Sequence, residues 1–475
     1  MPERQSIRKN IGWLALGNVV VKPLWFVLLL LTARLLGASD FGKFMLAISF
    51  VSVASVMLEG GVDILTVREL SNKPDEFRKF FGHTATIKIA SGILSSIAAI
   101  AASFLLKMGR EITVLVIFAS LYSISNTLLL HFRSIFRSFE VLKYEAISMI
   151  LEKGAVIILC GGILLMHMGL RAYMAGYVVA YVITSIATFV IVGVKIGLPT
   201  FHPQMSYLWQ NVLKPALPFA VLNLFTVIYF RSGTLMLGAL TGREELVGYY
   251  NAGYKLVESF MLFPTIIVAP IYPVISRNRE NSEQIKRVIV EAARVLLLIG
   301  VSVGFMIFLF REKATLLLFG KGYELASNSV GILALTMIPI SVNFGAGTLV
   351  AALDRQGKSN IFVLTVTLLN LVLNYFMIMK LAVLGAVLTT VITETLLVLC
   401  NLFVVHDYIP WRKLIDLSAR SIVPAVLAGL LLLTPARELT FPLQVGLVVI
   451  AMLGGYLALK VLTFGDFRTL WRIAV

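Results

Sequence analysis

A chain of 475 residues that is 59% apolar and only 14% charged, with a mean hydropathy of +0.91, lies outside the range of soluble domains and reads as an integral membrane protein. Its net charge of +16 could suggest nucleic acid, but the charges are scattered over short connections and no basic domain exists to hold a duplex. The partners this charge suggests are the anionic lipid surface and an anionic substrate.

Repeated apolar runs of about 20 residues predict helices, because each can cross a hydrocarbon core of ~30 Å at about 1.5 Å per residue. After the basic MPERQSIRKN, the run from 11 to 35 holds Lys22-Pro23 and lacks a small-residue cleavage site. It reads as a retained first helix, not a signal peptide. Fourteen spans are expected, near 11–35, 42–66, 83–106, 112–131, 144–166, 171–194, 215–239, 247–275, 288–310, 327–352, 359–379, 383–405, 418–434 and 442–463. With the N-terminus inside, the inner segments and flanks hold the larger share of the 41 Lys and Arg, so both termini are expected in the cytoplasm. Cys160 and Cys400 fall inside apolar runs, as small buried hydrophobes do, and His83, His131, His167, His202 and His406 lie near helix ends without metal-ligand spacing. No metal or other cofactor is expected.

The chain repeats itself. LLGASDFGKF (35–44) resembles LMLGALTGREELVGYY (235–250), with Gly37 matching Gly238 and Gly42 matching Gly248. AGYVVAYVITS (175–185) matches LGAVLTTVITE (384–394) without a gap. The expected architecture is all-α, with two pseudo-symmetric six-helix lobes at 1–208 and 209–405, followed by a helix pair and cytoplasmic tail at 406–475. Such repeats imply a transporter with its substrate between the lobes near the midplane.

The two six-helix halves, LLLFGKGYELASNSVGILAL (316–335) and LVAALDRQGKSN (349–360) resemble polysaccharide-exporter flippases of the multidrug/oligosaccharidyl-lipid/polysaccharide superfamily, and within it the O-antigen flippases. The resemblance implies translocation of lipid-linked oligosaccharide. It also implies that the first two helices of each lobe line a water-filled cleft whose cations meet a lipid pyrophosphate.

Six cations fall within the expected spans: Lys22, Lys88, Lys153, Arg231, Lys255 and Arg294. A charge at the bilayer centre costs roughly 2.5 to 3.5 kcal/mol on insertion scales, so such residues face a cavity or a partner. Lys88 and Arg294 lie close enough to an inner helix end for snorkelling to the headgroups. Lys153 has Glu145 and Glu152 as candidate partners, so it reads equally as a structural ion pair or as a cavity cation. Arg231, in FTVIYFRSGTLMLGAL, and Lys255 flank the turn 240–246 at equal distances, about 12 Å beneath it at 1.5 Å per residue. Glu258 shares a face with Lys255, which leaves open a self-contained bracing network or a cavity that receives phosphate. By the resemblance, Lys22 corresponds to the first-lobe cation, and Arg231 and Lys255 to those of the second. Glu59, Asp63 and Glu258 exceed the resembling pattern and could instead bind a coupling Na⁺ or proton. Pro264, Pro270 and Pro273 predict a bend in the eighth span, fixed or hinged.

The leading expectation is a flippase, not an enzyme, that carries a polyprenyl-pyrophosphate oligosaccharide by alternating access. A cation-coupled drug exporter of the same superfamily is the alternative, although its cleft should contain more carboxylate than Lys and Arg. A membrane glycan polymerase or ligase would need a larger extramembrane segment for acceptor and donor.

Overall fold

The computed structural model describes residues 7–59, 61–201 and 204–462, and among them the chain is helical, with no strand. That is the outcome lipid imposes on long apolar runs, since an α-helix satisfies its backbone hydrogen bonds within its own segment. Among the described residues, twelve helices are long and apolar enough to span a membrane, and a thirteenth span arises if the bent pair Glu244–Val268 and Ile271–Arg277 is counted as one. The bend, 42°, falls where the prolines of the eighth span lie.

The first helix, α1 (Ile7–Glu59), merges two of the expected spans, but its 53 residues are not regular throughout. Gly37 has φ 77° and ψ 170°, a conformation essentially restricted to glycine. Fifty-three helical residues would run to about 80 Å, well over twice the ~30 Å hydrocarbon core. Dividing α1 at Gly37 separates the first two of the spans expected from sequence.

The chain divides into two compact units. The first comprises Met1–Asn251, Leu318–Tyr323 and Leu371–Ala386. It contains α1, α2 (Val62–Asn72), α3 (Phe77–Leu105), α4 (Arg110–Ser138), α5 (Leu142–Leu165), α6 (Gly169–Lys195) and α7 (Lys214–Thr241). A cluster with Leu65, Phe81, Ile135 and Phe136 at its fully buried centre binds α2, α3 and α4, while α7 packs against α1. Two backbone contacts in this unit mirror each other. A Cβ at Gly42 would lie 1.8 Å from the Glu244 carbonyl oxygen, and one at Gly248 would lie 2.0 Å from the Ala38 carbonyl oxygen. Each glycine thus receives the carbonyl of the residue four places before the other, and the two match each other in the repeat.

The second unit comprises Ala252–Leu317, Glu324–Asn370 and Val387–Val475. Helix α8 (Glu244–Phe260) ends in it. Its last two helices, Trp411–Leu430 and Phe441–Ala458, pack against Ser282–Leu309 through Leu297, Val301, Ala425, Val448 and Met452. A hydrogen bond of 3.1 Å between the hydroxyls of Ser302 and Tyr456 pins this contact.

Candidate functional site

Helix α4 places Tyr122, Ser123, Asn126, Thr127 and Leu130 on one face, as steps of one and four along a helix require. This stripe lines a cavity of about 220 Å³ in the first unit. The other walls come from Ser52 and Ser55 of α1, Asp63 of α2, Lys88 of α3 and Asn223 of α7. The hydroxyls of Ser55 and Ser123, 2.5 Å apart, tie α1 to α4 beside it.

Asp63 is held from both sides. Lys88 Nζ donates to Oδ2 at 3.1 Å, and His131 Nδ1 lies 3.0 Å from Oδ1. The opposite ring nitrogen of His131 sits 3.0 Å from the Thr84 hydroxyl. Two sequence expectations are corrected here. Lys88 does not snorkel: it is 4% exposed, and its ammonium takes a carboxylate partner inside the unit in place of the headgroup region. His131 is no helix-end histidine, because α4 continues to Ser138 and buries it completely.

A second network surrounds Glu152 on α5. Arg133 donates to it at 2.8 Å and also to the Ser148 hydroxyl at 3.0 Å, and the Tyr181 hydroxyl donates to it at 2.7 Å. Lys153 completes the set by pairing with Glu152, and its ammonium lies 4.0 Å from the centre of the Trp25 ring, one turn from Lys22. Between the two acids considered for Lys153, the partner is Glu152, while Glu145 pairs with Arg137 at 2.5 Å. The ring of Tyr181 packs edge-on against Tyr122 at 4.6 Å, which joins this network to the cavity wall. Arg231 is half-buried on α7.

The structure therefore links Lys153 through Tyr181 to Tyr122 of the cavity wall, with Asp63 on the same cavity. Lys22 is exposed on α1. Lys255 pairs with Glu258 in the second unit, as their shared helix face suggested. The side chain of Glu59 and the whole of Gly60 lie outside the described residues, as do His202 and the tail from 463. Sequence reasoning missed Arg133, Asn126 and Asn223. The signal for Asn126 was present in LYSISNTL, where polar residues recur at helical spacing inside an apolar span.

Residues 7–279, more than half of the chain, match the family described as polysaccharide biosynthesis protein. The chain belongs to this family. A curated relative, the probable low-salt glycan biosynthesis flippase Agl15 of Haloferax volcanii, is 26% identical over 152 residues, and the match spans about a third of either chain, 32%. Among solved structures, the lipid II flippase MurJ in an inward closed conformation superposes with a TM-score of 0.75 at 16% identity, over 94% of this chain and 98% of that one. An inward-facing multidrug resistance MATE family transporter of the MOP superfamily gives 0.65 at 14% identity, over 83% and 98%. The family member thus has the fold shared by MurJ and the MATE transporters.

Proposed function

We propose that this protein moves a polyprenyl-(pyro)phosphate-linked oligosaccharide across the cytoplasmic membrane by alternating access, for assembly of a cell-surface polysaccharide. The observation that carries the reading is that Lys153 and Arg231 both stand on membrane-spanning helices of the first unit, in a fold shared with transporters. Cations placed in apolar helices attract anions, and a guanidinium offers a phosphate two parallel hydrogen bonds. Family membership, the glycan flippase relative and the MurJ-like fold support the same substrate class. The lobes would divide near residues 208 and 405, both termini would be cytoplasmic, and Lys22 and Lys255 would add to the phosphate-binding charge. No covalent step is needed. Asp63 and Glu258, each paired with a protein cation, fit charge balance better than coordination of Na⁺ or uptake of a coupling proton.

The test is translocation of a fluorescent polyprenyl-pyrophosphate oligosaccharide in proteoliposomes. Arg231→Ala should slow it about tenfold or more, the loss of a charge-assisted contact, and Arg231→Lys should recover it in part, since an ammonium keeps the charge without the fork. Normal transport by Arg231→Ala would rule out the phosphate role. Dissipating Na⁺ and proton gradients in the same assay should leave the rate unchanged if Asp63 and Glu258 only balance charge.

A further inference from the structure

We infer that the cavity of the first unit is a reading pocket for one neutral pyranose of the carried glycan, a role that rests on the flippase reading above. The lining decides the ligand by elimination. Asn126 and Asn223 present carboxamides, each both donor and acceptor, and no side-chain hydrogen bond occupies either amide among the described residues. Asp63 adds a preset acceptor, since Lys88 and His131 fix its orientation while 28% of its side chain remains exposed. A polyprenyl chain there would strand these groups without partners, at a desolvation cost that water does not impose. A phosphate would meet the Asp63 carboxylate, and the one cation lining the cavity, Lys88, is already committed to it. The pocket is thus near charge balance and rich in paired donors and acceptors, which is the complement of sugar hydroxyls.

Size and shape agree. A cavity of about 220 Å³ has room for one sugar ring. Tyr122 adds an aromatic side chain to the wall, a surface that suits the apolar C–H groups of a pyranose.

The experiment is saturation-transfer NMR on the purified full-length protein in detergent, with free glucose, galactose, mannose, N-acetylglucosamine and N-acetylgalactosamine as probes. Glucuronate and inorganic pyrophosphate serve as charged controls. At least one neutral sugar should bind, and Asn126→Ala and Asn223→Ala, each checked for an unchanged melting temperature, should weaken it about tenfold, as loss of a paired hydrogen bond implies. If no neutral sugar binds, if the charged probes bind equally well, or if both stable variants bind like the parent, the cavity holds only water and the inference falls. Translocation by Arg231→Ala is scored separately. A blocked Arg231→Ala with no sugar binding would remove the pocket and leave the flippase reading standing, whereas normal transport would remove that reading first.

Discussion

At the scale of single residues, the Asp63–Lys88 pair carries the clearest energetic consequence. Lys88→Met should destabilise the protein by about 2–3 kcal/mol, less than a fully sealed pair, because Asp63 keeps His131 and an open face on the cavity. Adding Asp63→Asn should restore part of that loss, and thermal unfolding of the two single variants and the double variant measures the coupling. A Lys88→Met protein as stable as the parent would mean that the ammonium does reach the headgroups. Lys88 also shows where sequence stops being informative. Its distance from the helix end was legible, but its partner stands on α2, and only packing of α2 against α3 brings Asp63 to it. Lys153 was half-legible for the opposite reason: its partner is its own neighbour, Glu152, whose other contacts with Arg133 and Tyr181 come from distant helices.

At the scale of elements, hydropathy alone placed the spans well, since apolar length is what a bilayer selects. It could not say that two of them are continuous through Gly37 with almost no connecting loop. The φ of 77° and ψ of 170° there make Gly37→Ala costly, on the order of 1–3 kcal/mol, even though nothing lies within 4 Å of the added methyl. Gly161→Ala, inside α5 with equal space and an ordinary helical backbone, is the control and should be neutral or slightly stabilising. Equal melting temperatures for the two variants would show that the break at Gly37 is not a strained point. The stripe on α4 teaches a related lesson. Ser123, Asn126 and Thr127 stand on one face by helical periodicity alone, but that this face lines a cavity depends on α1, α2, α3 and α7 leaving space.

At the scale of the whole molecule, the excess of Lys and Arg in the inner connections sets the expected orientation. Single-cysteine substitutions at Arg78, Arg279 and Arg355, made after Cys160 and Cys400 are replaced, should resist a membrane-impermeant maleimide in intact cells and react once the membrane is opened. Strong labelling at position 279 from outside would invert the orientation. Arg279 and Arg355 also hold acidic partners, Asp354 and Asp407 at 2.9 Å for the latter, so labelling at these positions reports side as well as access.

The mirrored carbonyl contacts of Gly42 and Gly248 make these two positions a single thermodynamic unit. Adding a methyl at either must push the same two backbone segments apart, so Gly42→Ala and Gly248→Ala should each destabilise, while the double variant should lose clearly less than the two losses combined. Melting curves of the three proteins measure this non-additivity directly. Strict additivity would mean that each segment yields independently. Otherwise neither glycine is under selection alone: once one has been lost, the gap it opens removes most of the reason to keep the other, and the pair should be retained or abandoned together.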